Sequence, residues 1–258
     1  MTKIELGTSL LAAHTVDRVL RVRIDRAAKR NAMTQEMYRG LKRAAVLADA
    51  DPELDALCIT GTDDVFASGG DMSGHSEDPE GLAHELDPTE QFPFRHLERC
   101  RKLVVAAVNG LCHAGGLDLV LHSDVSVCSD RARFRIPELL RGAPDPWVAS
   151  RLALSVGLAR AKYLIFTAEE FDANEAADMG LVGKVVAHEH FEDAVEHTLE
   201  CIRRTGPETR ARMKEDMNRR LPPADVNLFR RLLLGPEMIE GMGAFLEKRD
   251  PVWPRGQR

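Results

Sequence analysis

The sequence VVAAVNGLCHAGGLDLVLHS, residues 104–123, is the most informative stretch of the chain. Its first five residues are apolar and predict a buried strand, which runs into a loop of small residues. A glycine pair, Gly115 and Gly116, then opens an apolar helix that carries one acid, Asp118. Unshielded backbone N–H groups at such a helix start predict a site that binds an oxyanion.

A second glycine pair lies upstream in FASGGDM, residues 66–72, where Gly69 and Gly70 follow a short predicted strand. Glycine permits positive φ angles and lets the backbone approach a ligand closely. One N–H group from each glycine segment can therefore converge on a single carbonyl oxygen, and on a thioester that contact acidifies the α-carbon. The alternative is that both pairs are tight turns that pack a strand against a helix.

Three acidic residues are candidates for proton transfer beside these glycines. Asp118 lies three residues after Gly115, so both occupy the same face of the predicted helix. Glu138 in RIPELL pairs with Asp118 in the functional interpretation, because two carboxyls in different environments can divide acid and base work. Each can instead be a first-turn acid that stabilises a helix dipole. Asp145 lies between two prolines, which predicts a turn residue, but it can also be a third carboxylate of the site. Trp147, close to it in sequence, is either a core residue or part of the wall of an acyl pocket.

The composition restricts the class of protein. The chain has 258 residues, of which 44% are hydrophobic and 29% charged, which suffices for one large core. Its net charge of −6 disfavours nucleic acid or an anionic membrane as the main partner. The five cysteines lack the spacing of metal ligands, and the sequence shows no signal-peptide pattern, which together predict a cytoplasmic protein. No apolar run reaches about 18 residues, so the sequence predicts no membrane span. The sequence contains no GxGxxG, GxxxxGK[ST], GxSxG or HExxH motif.

Hydrophobic periodicity predicts an α/β protein. Helices are predicted to begin at Thr34, as N-cap, and at Gly115. Strands are predicted at residues 19–24, 57–60, 104–108 and 125–128. Because strands and helices alternate, the pairing should be mostly parallel.

Beyond Pro146 the pattern is helical. Helices are predicted at residues 152–166, 173–179, 191–204, 207–220 and 226–248. A change of composition near residue 205 divides the chain into a core, residues 1–205, and a helical C-terminal region, residues 206–258. Residues 75–89 are rich in acids, glycine and proline and predict a mobile loop near the site.

Several segments resemble, in this order and spacing, the crotonase or enoyl-CoA hydratase/isomerase family, over about residues 15–250. FASGGDM and VVAAVNGLCHAGGLDL resemble the two oxyanion motifs of that family, which implies that the N–H groups of Gly70 and Gly115 hold a thioester oxygen. RFRIPELLRG resembles the segment of the second catalytic acid, which implies that role for Glu138. Three further segments carry the resemblance: DRAAKRNAM (25–33), YLIFTAEEFDANEAADMGLVGKVV (163–186) and GAFLEKRDP (243–251).

The resemblance implies a ββα spiral core, a helical C-terminal trimerisation region, and a homotrimer or a dimer of trimers. It implies an acyl-CoA thioester as substrate, no metal, and no cofactor other than the CoA of the substrate. It also implies a set of residues that contact CoA: Ala28, Arg30, Ala32, Ser68, Asp71, Phe245 and Lys248.

The chain departs from the family pattern at two places. Asp118 stands where hydratases usually carry glutamate, and its shorter side chain would set the carboxyl about 1 Å further back. GAPDPWVAS, residues 142–150, replaces a glycine-rich run. Asp118, Glu138 and Asp145 resemble the acidic set of dienoyl-CoA isomerases, although the ungapped match to the third acid is Pro146.

These observations leave three hypotheses. The leading one is an enoyl-CoA hydratase in which Glu138 transfers a proton at Cα and Asp118 orients or activates water. The second is a double-bond isomerase, in which Glu138 and either Asp118 or Asp145 move a proton along the acyl chain. The third is a non-catalytic or RNA-binding relative, which the acidic charge and the lack of a basic, aromatic stripe disfavour.

Overall fold

The strands form mainly at apolar and β-branched stretches of the chain. The structure is a computed structural model, and it describes residues 2–75, 77, 92–233 and 235–254. The strands within these ranges are β1 (Thr2–Lys3), β2 (Leu11–Val16), β3 (Val19–Ile24), β4 (Ala56–Thr60), β5 (Val65–Ala67), β6 (Leu103–Val108), β7 (Leu111–His113), β8 (Val125–Ser129), β9 (Arg133–Arg135), β10 (Phe171–Asp172) and β11 (Lys184–Val186).

The α-helices of the same ranges come mostly from amphipathic segments. They are α1 (Gln35–Ala50), α2 (Phe94–Arg99), α3 (Gly115–Leu121), α4 (Pro146–Val156), α5 (Leu158–Thr167), α6 (Ala173–Asp178), α7 (Phe191–Arg203), α8 (Pro207–Asn218), α9 (Val226–Leu232) and α10 (Pro236–Glu247). Three short 3₁₀ turns complete the set: Ala27–Lys29, Glu138–Arg141 and His188–His190.

Two sheets organise the molecule. The larger one has the order β1-β2-β3-β4-β6-β8-β11, and it is parallel from β3 onward. The smaller one has the order β10-β9-β7-β5, and only its β9–β10 pair is antiparallel. The prediction of mostly parallel pairing is confirmed. Parallel neighbours need crossover connections, and α1 and α3 lie in two of them.

Helix α1 covers one face of the larger sheet. Its start is capped by the Thr34 hydroxyl, which accepts a hydrogen bond from the N–H of Met37 at 3.3 Å, as predicted. Met37 and Leu41 are fully buried against strand residues such as Val22. Burial of each such side chain contributes about 2 kcal/mol of folding free energy.

Two of the predicted helices were wrong in their extent. The helix expected at residues 152–166 is two helices, α4 and α5, because Gly157 between them adopts a φ of +80°, which ends a right-handed helix. The helix expected at residues 226–248 is α9 and α10. Pro236 begins α10, and its missing N–H group prevents one continuous helix.

The C-terminal helices are fastened to the rest of the chain by buried ion pairs. Arg210 on α8 lies 2.7 Å from Asp55, and Lys214 lies 2.6 Å from Asp124. Helix α10 packs on the turn Glu138–Arg141 so closely that a Cβ built on Gly241 would lie 2.4 Å from the carbonyl carbon of Arg141. The boundary expected at residue 205 stays a prediction.

Two further predictions, the absence of a membrane span and the loop at residues 75–89, do not concern the two sheets. In the part of the chain that the structure describes, no helix is both long and apolar enough to cross a bilayer. Of the loop predicted at residues 75–89, residues 76 and 78–89 lie outside the described residues.

Candidate active site

The two glycine segments, which are far apart in sequence, meet at one place. A Cβ built on Gly69 would lie 2.6 Å from the Cβ of Ala114, and one on Gly116 would lie 2.6 Å from the carbonyl oxygen of Ala67. Such distances admit no side chain at either position without a shift of the backbone. Gly69 and Gly116 therefore fulfil the packing role that was the alternative for both pairs.

The other member of each pair, Gly70 and Gly115, faces a common point. A Cβ built on Gly115 would lie 2.2 Å from the hydroxyl oxygen of Tyr38, and one on Gly70 would lie 3.8 Å from the same atom. The structure thus brings together the two glycines whose N–H groups are the expected oxyanion donors.

A hydrogen-bonded frame holds the Gly70 segment in place. The N–H of Met33 donates to the carbonyl of Gly69, and the N–H of Asp71 donates to the carbonyl of Met33, both at 2.8 Å. Arg26 lies 2.8 Å from the Asp71 carboxylate, and both side chains are 8% exposed. Burial acts to raise the pKa of Asp71, but the hydrogen bond from the Ser73 N–H and the charge of Arg26 lower it below its usual value. Sequence reasoning did not single out Arg26, because only the fold places it against Asp71.

Asp118 and Asp145 form a carboxyl pair. Asp118 lies in the first turn of α3 and is 3% exposed. Asp145 caps α4, where its Oδ1 accepts hydrogen bonds from the N–H groups of Trp147 and Val148 at 3.0 and 2.9 Å. The side chains of Asp118 and Asp145 share a hydrogen bond. Asp145 is therefore both the turn residue and the third carboxyl that the sequence left as alternatives.

Both carboxyls of the pair have pKa values above the usual value for aspartate. Burial, followed by the charges of Asp145 and Glu138, raises the pKa of Asp118 well above that of a free aspartate. Burial also raises the pKa of Asp145, but the two backbone N–H groups and the hydrogen bond from Asp118 oppose that rise. Two carboxyls so close share one proton and a single negative charge.

Glu138 opens the turn Glu138–Arg141, which follows β9. Its Oε2 atom is buried and has no hydrogen-bond partner among the described residues. Burial, and then the charge of Asp145, raises the pKa of Glu138 well above its usual value, although Arg141 acts in the opposite direction. A carboxyl with a raised pKa and one oxygen free of hydrogen bonds can act as a proton donor.

Tyr38 connects the glycine half of the site with the acidic half. Its hydroxyl oxygen lies at the two glycines, and its pKa is affected by the charges of Asp118, Glu138 and Asp145. The charges of the three predicted acids therefore act on the group that lies at the two glycines. Sequence reasoning missed Tyr38, although a tyrosine on the apolar face of α1, in a chain with two tyrosines, was an available signal.

An aromatic cluster borders the acids on one side. Its rings pack in sequence, with centroids 4.9 Å apart for Tyr38 and Phe92, 4.8 Å for Phe92 and Trp147, and 5.1 Å for Trp147 and Phe229. Phe94 stacks on Phe92 at 5.5 Å. The backbone N–H of Trp147 donates a hydrogen bond to Asp145, so the aromatic cluster provides an apolar surface next to the carboxyls.

The residues expected to contact CoA lie at the segments that carry the resemblance. Asp71 is paired with Arg26, as described above, and the Phe245 ring lies 4.0 Å from the Arg141 guanidinium. That contact brings the end of α10 to the turn of Glu138. The other expected residues are exposed or half-buried: Ala28, Arg30, Ala32, Ser68 and Lys248. Their roles toward CoA stay predictions.

A buried histidine supports the helix that carries Asp118. The Nδ1–H of His122 donates to the carbonyl of Asp118 at 2.8 Å, and its Nε2 lies 3.8 Å from Glu98, which in turn binds Arg151 at 2.5 Å. Burial lowers the pKa of His122 from 6.5 to about 4, so the ring is neutral in the folded protein.

We expect His122 to make stability fall as the pH decreases from 6.5 toward 4. The unfolded chain takes up a proton on this ring in that window and the folded protein does not, so up to about 3 kcal/mol of unfolding free energy is lost. Denaturant unfolding at several pH values measures this loss. His122→Gln should lose less than the wild type across the window, whereas His190→Gln, on an exposed histidine, should behave like the wild type. Equal losses in all three proteins would contradict the assignment.

Comparison with known proteins covers nearly the whole chain. The sequence profile of the family "Enoyl-CoA hydratase/isomerase" matches residues 14–256. A probable enoyl-CoA hydratase of Rhizobium meliloti is 30% identical over 249 residues, which cover 93% of this chain and 95% of that protein. A crotonyl-CoA hydratase of Syntrophomonas wolfei is 31% identical over 236 residues, which cover 88% of this chain and 90% of that protein.

The fold leads to the same family. A crystal structure of an enoyl-CoA hydratase from Mycobacterium avium subsp. paratuberculosis matches with a TM-score of 0.85 at 26% identity, and the match covers 96% of this chain and 99% of that one. The expected α/β, crotonase-like fold class is confirmed. From its profile match, its fold and the meeting of its glycine segments with Glu138, the chain belongs to the enoyl-CoA hydratase/isomerase family.

Proposed function

We propose that the protein is an enoyl-CoA hydratase, which adds water across the double bond of a 2-enoyl-CoA thioester. The observation that carries this proposal is the position of the Tyr38 hydroxyl at both glycines, where the charges of all three acids act on it, which links an oxyanion site to a proton-transfer site. The enoyl-CoA and crotonyl-CoA hydratases among the relatives support an enoyl-CoA thioester as the substrate.

In this proposal the thioester oxygen lies between the N–H groups of Gly70 and Gly115, which form an oxyanion hole. Negative charge develops on that oxygen as the enolate forms, and fixed N–H donors stabilise the charge without reorganisation. Loss of one such donor typically costs about 3 kcal/mol in the transition state. The Arg26–Asp71 pair keeps the Gly70 donor at its position.

The three carboxyls then divide the proton transfers. Water forms the new bond to Cβ, and the electron pair of the double bond moves to Cα, where it takes the proton of Glu138. The water gives up one proton to the Asp118–Asp145 pair, which carries a single negative charge before the reaction. Return of one proton from the pair to Glu138 restores the starting state. No step requires a metal or a cofactor besides CoA.

A double-bond isomerase is the second candidate, and the Asp118–Asp145 pair favours it. A third carboxyl extends the proton-accepting region beyond the position of Asp118. The pair would then take a proton from one carbon of the acyl chain, and Glu138 would return a proton at another. Such a reaction excludes water from the site rather than holding it.

An assay with crotonyl-CoA and mass analysis of the product distinguishes these candidates. Hydration adds the mass of one water and removes the double bond, whereas isomerisation of a 3-enoyl-CoA shifts the double bond at constant mass. We expect addition of water, with incorporation of heavy oxygen from labelled water. Isomerisation without uptake of water would overturn the hydratase proposal. A protein that gains no thermal stability with any CoA thioester would be a non-catalytic relative.

We also propose that the protein assembles as a trimer or a dimer of trimers. Large exposed apolar side chains on α5 and on the C-terminal helix α10 support an assembly. Leu158 and Phe166 on α5 are 61% and 71% exposed, and Ile239 and Leu246 on α10 are each 62% exposed. Apolar surface of this kind on a soluble chain commonly belongs to an interface. Sedimentation velocity measures the mass, and a monomer at micromolar concentration would contradict the proposal.

A further inference from the structure

We propose that Tyr38 is a further catalytic residue, whose hydroxyl group is a third hydrogen-bond donor to the thioester oxygen. This inference rests on the proposed binding of an acyl-CoA thioester between Gly70 and Gly115. It adds a side-chain donor to the two backbone donors.

The position of the hydroxyl carries the inference. A Cβ at residue 115 would lie 2.2 Å from Tyr38 Oη and 3.3 Å from Tyr38 Cζ, so the hydroxyl occupies the space that a side chain at Gly115 would fill. The same oxygen lies 3.8 Å from the Cβ position of Gly70. A ligand atom that reaches the N–H groups of both glycines therefore comes next to this hydroxyl.

The surroundings of the ring fix that position. Tyr38 lies in the first turn of α1, whose start is set by the Thr34 cap, and it is 3% exposed. Phe92 and Phe94 pack edge-on against its ring, with centroids 4.9 and 6.3 Å away. A donor held rigidly before the substrate arrives contributes most to stabilising developing charge.

The hydroxyl also keeps its proton at the pH of catalysis. Burial raises the pKa of Tyr38 well above 10, and the charges of Asp118, Glu138 and Asp145 raise it further. A phenol in this environment donates a hydrogen bond without ionising. The carboxyls that share the proton transfers thus also hold Tyr38 in its donor form.

The test is Tyr38→Phe, which removes one oxygen atom and keeps the packed ring. We expect kcat for hydration to fall about 10- to 100-fold with KM nearly unchanged, because the donor acts mainly on the charged transition state. Tyr163→Phe is the matched control, since Tyr163 is the other tyrosine of the chain, is 56% exposed, and lies on α5. Its kcat should equal that of the wild type.

A spectroscopic measurement separates a donor from a packing residue. A chromophoric CoA thioester, dimethylaminocinnamoyl-CoA, absorbs at longer wavelength when donors polarise its carbonyl. The red shift on binding should be smaller for Tyr38→Phe than for the wild type. When Tyr163 is replaced by Phe, biosynthetic incorporation of fluorotyrosine labels position 38 alone. The phenol of fluorotyrosine is more acidic than that of tyrosine and should increase the red shift. This second variant keeps the native shape of the ring and serves if Tyr38→Phe does not fold.

The outcomes distinguish this inference from the proposed function. Equal red shifts and equal kcat in the wild type and Tyr38→Phe would overturn the role of Tyr38, whatever reaction the enzyme catalyses. A wild type that binds and polarises the probe but hydrates no enoyl-CoA would overturn the hydratase proposal, and a reduced shift in Tyr38→Phe would still support the donor.

Discussion

Glu138→Gln is expected to lower kcat for the hydration of crotonyl-CoA by about 10³-fold while binding of the CoA thioester is retained. The amide has nearly the shape of the protonated carboxyl but can neither give nor take the proton at Cα, and general acid–base catalysis of this kind contributes about 10²- to 10⁴-fold. Steady-state kinetics measure kcat, and titration with a non-reactive acyl-CoA measures binding.

The fold should tolerate this change. Because burial raises the pKa of Glu138 and so favours its neutral form, the neutral amide of the variant resembles the carboxyl that it replaces. Thermal unfolding should therefore occur within a few degrees of the wild type, roughly the shift caused by 1 kcal/mol. Glu208→Gln, at an exposed glutamate of α8, is the matched control and should keep full activity. Full activity in Glu138→Gln would refute its role as acid or base.

Asp118→Asn is expected to lower kcat by about 10²-fold without unfolding the protein. Asparagine can donate its side-chain N–H to Asp145, so the buried hydrogen bond between the two side chains and the cap of α4 are preserved. Asparagine at position 118 cannot take the proton of the attacking water, so only Asp145 is left to accept it. Kinetics with crotonyl-CoA and denaturant unfolding of the same sample measure the two effects.

The control tests the structural alternative for Asp118. Asp193 is an exposed acid in the first turn of α7, so Asp193→Asn measures the contribution of a helix-start acid alone, about 0.3 to 1 kcal/mol. If the loss of activity in Asp118→Asn equals the loss in the fraction of folded protein, the role of Asp118 is structural and the proposed proton transfer is refuted. A stable but slow variant supports the transfer.

The glycine segments and the parallel core were predictable from the sequence because they depend on local pattern. Residues 104–108 are a continuous apolar run, which a strand buried on both faces requires, and Gly115 follows seven positions after Val108. The smaller sheet was largely missed. Strands β7, β9 and β10 have two or three residues each, which is too short for any periodicity to appear.

The partners of the acids were not predictable from spacing. Asp118 and Asp145 are 27 positions apart in the sequence and meet only because α3 packs against α4. Tyr38 lies on α1 between Met37 and Leu41, so its pattern is that of a core residue. Its hydroxyl acquires a role only when β5 and α3 bring Gly70 and Gly115 to the same point.

The sequence by itself determined the α/β class, the two glycine segments and the identity of the three carboxyls, because each is visible in a short stretch of residue types. Only the tertiary structure decided that Asp145 forms a hydrogen bond with Asp118, that Arg26 is paired with Asp71, and that the Tyr38 hydroxyl lies at both glycines. The physical reason is that protonation and hydrogen bonding depend on burial and on neighbours from distant parts of the chain, which no local pattern records.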